Sequence, residues 1–330
     1  MSSIYFTFNP SGFAENAVEM LKKADHNVSH YRASSGISRK ALLTGVKAQD
    51  AVVTLLTDTV DTEFFAAAGP SLKIVANYAV GFDNVKLPDA KSANVIVTNT
   101  PCDAVNESVA EHAFALMMGL SDRLVEADSY ARAKKYKGWM PDLLLGTLLS
   151  GKTLGIVGAG RIGTALARRA VNGFGMKLVY SDERQNADLE KTFGAQHLPL
   201  EQLLETSDVV SLHVPLLPST KHLISTDQFA RMKPTAFLIN TARGPVVDEK
   251  ALLEALRDKK IAGAGLDVFE CEPAIDCDLS DALELKSFDN VVLTPHTGSA
   301  TFEARHEMAR VAAENVIAVL GGKEALNAAK

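Results

Sequence analysis

Cysteine, tryptophan and long apolar runs are scarce in this sequence, and each shortage argues against a class of protein. The 330 residues include one tryptophan and three cysteines, which are Cys102, Cys271 and Cys277. An odd cysteine count without a CxxC pair argues against a zinc site or a disulfide framework and predicts reduced thiols. No apolar run reaches the roughly 18 residues that cross a bilayer, and MSSIYFTF at the N-terminus is unlike a signal peptide. We therefore expect a cytoplasmic protein with no metal site and no membrane contact.

An excess of positive charge is also missing. Lys and Arg number 34 against 40 Asp and Glu, which gives a net charge of −6 at pH 7. A mildly acidic chain lacks the basic surface that binds a phosphate backbone, so we expect no nucleic-acid partner. The 47% hydrophobic and 22% charged residues are typical of a globular protein. At about 150 residues per domain, the length predicts two domains.

Short apolar runs rich in β-branched residues alternate with amphipathic stretches in two series. The first series has predicted strands at 3–8, 51–56, 72–78 and 94–99, with helical segments at 13–24, 38–46 and 86–93. The second has predicted strands at 152–158, 177–182, 208–214, 235–241, 262–268 and 290–296, with helices at 161–174, 189–195 and 249–259. This alternation predicts an α/β protein with two doubly wound parallel sheets, each covered by helices.

Two longer helical patterns lie between and after these series. One helix is predicted over 108–133, followed by an irregular stretch at 136–151, and the last helix is predicted over 301–322. Helices of this length can pass from one sheet to the other. The pattern therefore predicts that one domain is inserted within the other and that the C-terminus returns to the first.

The motif GAGRIG, which begins at Gly158, follows a predicted strand and opens a predicted helix. In that context GxGxxG binds a dinucleotide. Gly158 allows the tight turn, Gly160 the approach of a pyrophosphate, and Gly163 the close packing of helix on strand. The amides of Arg161 and Ile162 then lie at a helix N-terminus, where the dipole favours an anion. The alternative is an ordinary strand–helix turn that needs a positive φ.

Asp182 ends the next predicted strand, nineteen residues after Gly163. That spacing is near the roughly 20 residues expected for the carboxylate that binds the adenosine ribose diol. A carboxylate at this place repels a 2′-phosphate, which favours NAD over NADP. Arg184 leaves NADP open, because a nearby guanidinium can hold that phosphate.

Three polar residues follow predicted strands of the second series: Arg243, Glu272 and His296. Ligands of doubly wound sheets lie at the carboxyl ends of strands, so we expect these side chains at one edge. A guanidinium can hold the carboxylate of a 2-oxo acid, a histidine can protonate the developing alkoxide, and a carboxylate beside that histidine fixes its ring. The alternative for each is a surface ion pair or a packed polar group. Asp267, a further strand-end acid, either accepts a hydrogen bond from the nicotinamide carboxamide or caps a turn.

Several motifs together resemble the D-2-hydroxyacid dehydrogenase family over nearly the full chain, and the glyoxylate/hydroxypyruvate reductases match best. The matching segments are YAVGFDN (78–84), SVAEHAFALMM (108–118), GKTLGIVGAGRIG (151–163), SLHVPLLPST (211–220), MKPTAFLINTARGPVVDEKAL (232–252), AGAGLDVFECEP (262–273) and TPHTGSAT (294–301). The resemblance implies a Rossmann NAD-binding domain (101–296) inserted into a flavodoxin-like substrate domain (1–100 plus 297–330). It also implies a homodimer, joined through the long helix and the stretch around 136–150.

The resemblance further implies a role for each site residue. Arg243 anchors the substrate, His296 is the acid/base and Glu272 is paired with it. The amides of Val80 and Gly81 hold the substrate carboxylate. The implied cofactor-binding residues are Gly158, Gly160, Arg161, Ile162, Gly163, Asp182, His213, Val214, Pro215, Thr220, Thr241, Ala242, Asp267 and Gly298.

Departures from neighbouring families leave some alternatives open. Asp182 ends the segment YSD, whereas NADPH-preferring glyoxylate reductases have a segment like YSR at the corresponding place. An aspartate in place of the arginine supports NAD. Phosphite dehydrogenases share KGWMP (137–141) but carry Lys in place of Val80, and formate dehydrogenases carry Gln in place of Glu272. A D-lactate or short phosphoglycerate dehydrogenase, and a slow NAD-sensing protein like the C-terminal-binding-protein corepressors, remain alternatives. Leu55 to Asp58 and Trp139 are expected to shape the substrate pocket, with ordinary interface packing as the alternative for the tryptophan.

Overall fold

The computed structural model describes residues 1–33, 36–272 and 284–329. Within them the chain forms two compact units. The first unit is Met1–Val105 with residues 300–329, and the second is Asn106–Glu272 with residues 284–299. Both units are built on parallel sheets, which confirms the α/β prediction. In the described part of the chain, no helix is long and apolar enough to span a membrane.

The first unit carries five described parallel strands in the order β2-β1-β3-β4-β5. The strands are β1 Ser3–Phe6, β2 Asn27–His30, β3 Ala51–Thr54, β4 Ile74–Asn77 and β5 Ile96–Thr98. The helices between them are α1 Glu15–Lys23, α2 Arg39–Gly45, α3 Thr62–Ala68 and α4 Leu87–Ser92. β3 and β4 are buried at every position, so they appear in the sequence as continuous apolar runs.

Two elements of this unit were not predicted. β2 is an edge strand whose residues NVSH alternate between exposed and half-buried, so it produces no apolar run. α3 begins after Asp61, whose carboxylate accepts a hydrogen bond from the amide of Phe64 at 3.0 Å. This is a regular N-cap, but the helix is only seven residues long.

The second unit carries seven described parallel strands in the order β12-β11-β10-β9-β6-β7-β8. They are β6 Thr153–Val157, β7 Lys177–Ser181, β8 Gln196–His197, β9 Val209–Leu212, β10 Phe237–Asn240, β11 Gly263–Leu266 and β12 Val291–Leu293. The helices are α5 Asp103–Ser121, which begins in the first unit, α6 Leu124–Arg132, α7 Arg161–Phe174, α8 Ala187–Phe193, α9 Leu200–Thr206, α10 Thr226–Arg231 and α11 Glu249–Arg257. A short 3₁₀ helix covers Gly244–Val246.

Both faces of the second sheet are covered. Successive side chains of a strand point to opposite faces, and Leu238 and Ile239 of β10 accordingly belong to two different apolar clusters. The cluster of Leu238 includes residues of α9, α10 and α11, and that of Ile239 includes residues of α5, α7 and α8. The helices cover the two faces of the sheet but not the carboxyl ends of its strands. The predicted site residues follow these carboxyl ends.

The single helix predicted over 108–133 is wrong, because the structure has α5 and α6 in its place. Arg123 adopts φ +52, in the left-handed region that interrupts a helix. The carbonyl oxygen of Ser121 accepts a hydrogen bond from the amide of Thr147 at 2.7 Å instead of continuing the helix. The apolar periodicity continues through this break, so the sequence pattern could not reveal the break.

The C-terminal helix, α12 Phe302–Leu320, belongs to the first unit. Tyr78 donates its hydroxyl to the carbonyl oxygen of Arg305 at 2.6 Å, and Asn16 donates to that of His306 at 2.9 Å. The amide of Ala329 donates to the carbonyl oxygen of Val97 in β5 at 2.9 Å. Residues from the two ends of the sequence therefore build this unit together.

Candidate active site

The order of the second sheet locates its ligand-binding edge. From β6 the chain passes to β7 on one side, whereas β9 lies on the other side of β6. In such sheets ligands bind outside the carboxyl ends of the strands near this change of direction. The glycine turn follows β6 and Asp182 follows β7. Arg243, Glu272 and His296 follow β10, β11 and β12 at the same edge.

His296 and Glu272 are in direct contact. Nδ1 of the imidazole hydrogen-bonds Oε2 of the carboxylate, and both side chains are about a quarter exposed. The other oxygen, Oε1, accepts a hydrogen bond from the amide of Phe269 at 3.1 Å, which fixes the carboxylate. In the part of the chain that the structure covers, no hydrogen bond involves Nε2 of His296. The histidine thus has one nitrogen bound to a carboxylate and the other available for proton transfer.

The turn that carries Arg243 packs against the turn that leads to Glu272. A Cβ added at Gly244 would meet the carbonyl oxygen of Phe269 at 1.8 Å, so only glycine allows this approach. The carbonyl oxygen of Arg243 accepts from Asn240 at 2.9 Å, and its guanidinium donates to the carbonyl oxygen of Ala242 at 2.7 Å. The loops of β10 and β11 are therefore held together.

Asp267 is nearly fully buried below the turn that carries His296. Its carboxylate accepts from the hydroxyl of Thr294 at 2.6 Å and from the amides of Thr297 and Gly298 at 2.8 Å each. Burial by itself would raise the pKa of Asp267, but these bonds and one from His112 outweigh it and hold the pKa below its ordinary value. Asp267 is therefore an ionised acceptor that caps the 294–298 turn. Its assignment to the nicotinamide stays a prediction.

The glycine turn has the geometry that a dinucleotide requires. Gly158 adopts φ +94, and a Cβ there would meet the backbone of His213 at 2.8 Å. A Cβ at Gly163 would meet the carbonyl oxygen of Gly158 at 2.5 Å, whereas one at Gly160 would meet nothing within 4 Å. Among the residues described, none accepts a hydrogen bond from the amides of Arg161 or Ile162. These donors at the start of a 14-residue helix fit a pyrophosphate.

Asp182 lies beside this turn. Its Oδ2 accepts from the amide of Ala159 at 2.8 Å, and its Oδ1 accepts from the amide of Arg184 at 3.1 Å. The carbonyl oxygen of Ala159 in turn accepts from Asn186 at 2.8 Å. A carboxylate oriented in this way at the end of β7 fits the ribose diol of the same cofactor.

The remaining predicted cofactor residues lie in the loops after β9 and β10. Burial lowers the pKa of His213 to about 4, so its ring is neutral, and Nε2 is 2.9 Å from Ser211 Oγ. Thr220 donates to the carbonyl oxygen of Pro215 at 2.6 Å and closes the loop that contains Val214. Thr241 lies beside Ala242, and its buried hydroxyl has no partner among the residues described. These contacts describe the loops, and the cofactor contacts themselves stay predictions.

In the first unit, Val80 and Gly81 follow β4. Their carbonyl oxygens accept from Asn99 at 2.6 Å and from Asn77 at 2.9 Å, respectively. Their amides have no hydrogen-bond acceptor within the described ranges. Two asparagines thus hold the carbonyl side of this loop, and two donors are left available on its amide side.

Asp58, at the end of the loop after β3, is 3% exposed. Its Oδ2 accepts from the hydroxyl of Thr7 and, at 2.8 Å, from the amide of Leu55. Burial raises the pKa of Asp58 to about 6, and the two hydrogen bonds offset only part of this effect. Asp58 is therefore a buried structural group, whereas Leu55 is half-buried. Trp139, the other residue expected at the pocket, is 79% exposed.

Two further expectations concern cysteines and metals. The prediction of reduced thiols is wrong for Cys271, which is disulfide-bonded, because the sequence count cannot show which thiols approach each other. Cys102 is a free, buried thiol, and Cys277 and residue 273 of the predicted motif lie outside the described residues. The described side chains include no group of three or more His, Cys, Asp or Glu arranged to hold a metal ion.

One residue of this site was missed. His112 of α5 lies 2.8 Å from Thr294 Oγ1 through its Nε2 and 3.3 Å from Asp267 Oδ1. The sequence signal was a single histidine in the apolar segment SVAEHAFALMM, which by itself reads as a packed core residue.

Comparisons with known proteins show which proteins the chain resembles. The family model described as "D-isomer specific 2-hydroxyacid dehydrogenase, NAD binding domain" matches residues 114–298. A glyoxylate reductase of Korarchaeum cryptofilum is 52% identical over 287 residues, which are 87% of this chain and 84% of that protein. A crystal structure of a glyoxylate reductase from Paecilomyes thermophila has a TM-score of 0.85 and 30% identity, covering 99% of this chain and 98% of that one. A D-lactate dehydrogenase from Aquifex aeolicus, complexed with NAD and lactic acid, has a TM-score of 0.83 and 32% identity, covering 97% and 96%.

Proposed function

Because the chain belongs to the D-isomer specific 2-hydroxyacid dehydrogenases, we propose that it reduces a small 2-oxo acid of the glyoxylate or hydroxypyruvate type to the D-2-hydroxy acid, with NADH. It is an NAD-dependent oxidoreductase that acts on CH–OH donors. The observation that carries the proposal is the contact between His296 Nδ1 and Glu272 Oε2 at the carboxyl edge of the sheet. The substrate class is supported by relatives named glyoxylate reductase, one of them 52% identical to this chain.

The cofactor-binding residues proposed are the glycine turn and Asp182. The free amides of Arg161 and Ile162 would hold the pyrophosphate, and the carboxylate of Asp182 would hold the ribose diol. A negative charge at that place favours NAD over NADP, although Arg184 is adjacent. When bound, the reduced nicotinamide supplies the hydride.

His296 is the proposed donor and acceptor of the proton. In reduction the imidazolium donates from Nε2 to the carbonyl oxygen of the substrate, and in the reverse direction the neutral ring accepts that proton. Glu272 fixes the orientation of the ring through Nδ1 and so leaves Nε2 for the substrate.

The substrate carboxylate is assigned to Arg243 and to the amides of Val80 and Gly81. A guanidinium is a planar, permanently charged donor that matches a carboxylate. The available amides after β4 offer two further donors of the correct type for the same group.

The test is a steady-state assay of the purified protein with a panel of 2-oxo acids, each with NADH and with NADPH. We expect turnover of glyoxylate and hydroxypyruvate with NADH and a loss of kcat of about 10²- to 10⁴-fold in His296→Ala. His306→Ala, at an exposed position of α12, is the matched control and should keep wild-type rates. Near-wild-type turnover in His296→Ala would refute the proposed acid/base. Cofactor binding without turnover of any oxo acid would refute the enzymatic proposal and favour an NAD-sensing protein, and a preference for pyruvate would move the assignment to D-lactate.

A homodimer is the proposed assembly and the cytoplasm is the proposed location, where the disulfide of Cys271 would be exceptional. The stretch from α6 to residue 148 exposes many large apolar side chains, more than an isolated surface normally carries: Leu124, Val125, Tyr136, Trp139, Met140, Leu145 and Leu148. A second copy of the chain would cover them. Trp139→Asp combined with Leu148→Asp should yield monomers in light scattering if the wild type is a dimer, and a monomeric wild type would refute the proposal.

A further inference from the structure

We infer that His112 is a positioning residue for the proposed reduction, because it holds the turn that carries His296 through Thr294 and Asp267. This inference rests on the proposed function only for its kinetic readout. The contacts themselves belong to the second unit and involve α5, β11 and the turn after β12.

The position of His112 on α5 makes it part of a polar face directed at this turn. Its side chain is 21% exposed, and the neighbouring helix residues Ala110 and Ala113 are buried. Ser108, four residues earlier and therefore on the same face of the helix, donates its hydroxyl to the carbonyl oxygen of Gly298 at 2.7 Å. The helix thus contacts both ends of the 294–298 turn.

The direction of the hydrogen bonds follows from counting protons. The hydroxyl of Thr294 has one proton, which it donates to Asp267 Oδ1 at 2.6 Å. Its oxygen must therefore accept at the 2.8 Å contact with His112, so Nε2 of His112 carries a proton whether the ring is neutral or charged. The result is a directed chain from His112 through Thr294 to the carboxylate of Asp267.

Asp267 in turn holds the backbone at His296 through hydrogen bonds. Its side chain accepts from the amides of Thr297 and Gly298, and its carbonyl oxygen accepts from the amide of His296 at 2.8 Å. His296 adopts φ +53, which is an unfavourable conformation for a residue other than glycine. The backbone of His296 is therefore held in place by its surroundings, because Asp267 binds Thr294 before it and Thr297 after it.

Removal of the His112 donor leaves the oxygen of the Thr294 hydroxyl without this N–H and removes one donor that stabilises the buried carboxylate of Asp267. We expect the 294–298 turn to relax and the imidazole of His296 to leave its position against Glu272. Displacement of the imidazole slows the chemical step more than it weakens substrate binding. A displacement of 1 Å can lower the rate of that step by about 10²-fold.

The experiment compares three substitutions of His112 with a control on the same turn of α5. His112→Ala and His112→Leu remove the donor, and the leucine keeps the volume in case the alanine variant does not fold. His112→Gln keeps an N–H at the position of Nε2. Glu111→Gln is the control, since Glu111 is exposed and pairs with Arg169.

In kinetics, we expect His112→Leu and His112→Ala to lower kcat by about 10- to 100-fold with a much smaller change in KM. His112→Gln should recover most of kcat, and Glu111→Gln should match the wild type. Wild-type kcat in the leucine variant, or an equal loss in the leucine and glutamine variants, would overturn the inference.

A second readout does not depend on turnover. The imidazole Cε1–H signal of His296, assigned by its loss in His296→Ala, is followed by NMR during a pH titration of the protein alone. We expect the midpoint to move in His112→Leu and to remain in place in His112→Gln. If the wild type reduces no oxo acid, the proposed function fails, and this titration still decides the inference. An unchanged midpoint in His112→Leu refutes it.

Discussion

The buried carboxylate of Asp58 makes the stability of the first unit depend on pH, and Asp58→Asn should remove that dependence. Burial raises the pKa of Asp58 from its ordinary 3.8 to about 6 in the folded chain. The folded state then binds this proton more tightly than the unfolded state does. The contribution to stability is fully present below about pH 4 and is lost as the pH rises through about 6.

The size of the effect follows from the shift. About two units correspond to about 3 kcal/mol at full protonation. Between about pH 7.5 and 4.5, the expected change in the free energy of unfolding is about 2 kcal/mol. Asparagine carries no titrating group, and its Oδ1 can still accept from Thr7 and Leu55, since both donate to the same oxygen of Asp58.

The assay is urea denaturation followed by circular dichroism at both pH values, for the wild type and Asp58→Asn. The quantity compared is the difference between the two proteins at each pH, because it cancels the titration of all other groups. The advantage of the wild type should be about 2 kcal/mol greater at the acidic pH. Asp89→Asn, at a partly exposed carboxylate that accepts a hydrogen bond from the hydroxyl of Thr62, is the matched control. A difference that stays constant with pH would refute the burial argument.

Three further outcomes can be measured. Glu272→Gln should change the pH profile of reduction, because it replaces the carboxylate that contacts Nδ1 of His296; an unchanged profile would contradict the pairing. Gly160→Ala should fold with wild-type stability but bind NADH weakly in calorimetry, whereas Gly163→Ala should also lower the melting temperature, since its Cβ would meet a backbone oxygen at 2.5 Å. Equal stability of these two variants would argue against the turn described. Asp182→Ser should raise kcat/KM with NADPH relative to NADH, and an unaltered ratio would show that another residue sets the preference.

The sheets were predictable because their strands are buried on both faces. β3, β9 and β10 have no exposed residue, so each appears as an apolar run between helical patterns. β2 and the short β8 at the sheet edges have exposed residues, and periodicity missed both. The break at Arg123 depends on the conformation of one residue and on a contact with Thr147, which no local pattern encodes.

The site was predictable where a rule connects position to chemistry. Glu272 and His296 follow neighbouring strands, and parallel strands place their carboxyl ends at one edge, so the contact between them could be anticipated. The contact of His112 could not be anticipated, because its partner Thr294 is 182 residues away along the chain. A lone histidine in an apolar helix has no spacing rule that distinguishes a ligand of Asp267 from a core residue.

The return of α12 to the first unit has a consequence for biosynthesis. A ribosome makes residues 106–299 before it makes the helix that packs on α1 and β4. The second unit can therefore complete its sheet during translation, whereas the first unit lacks its last helix until the final thirty or so residues emerge. Premature termination near residue 300 would yield a complete second unit attached to a first unit whose apolar surface is left uncovered, and such a fragment should be a substrate for chaperones and proteases.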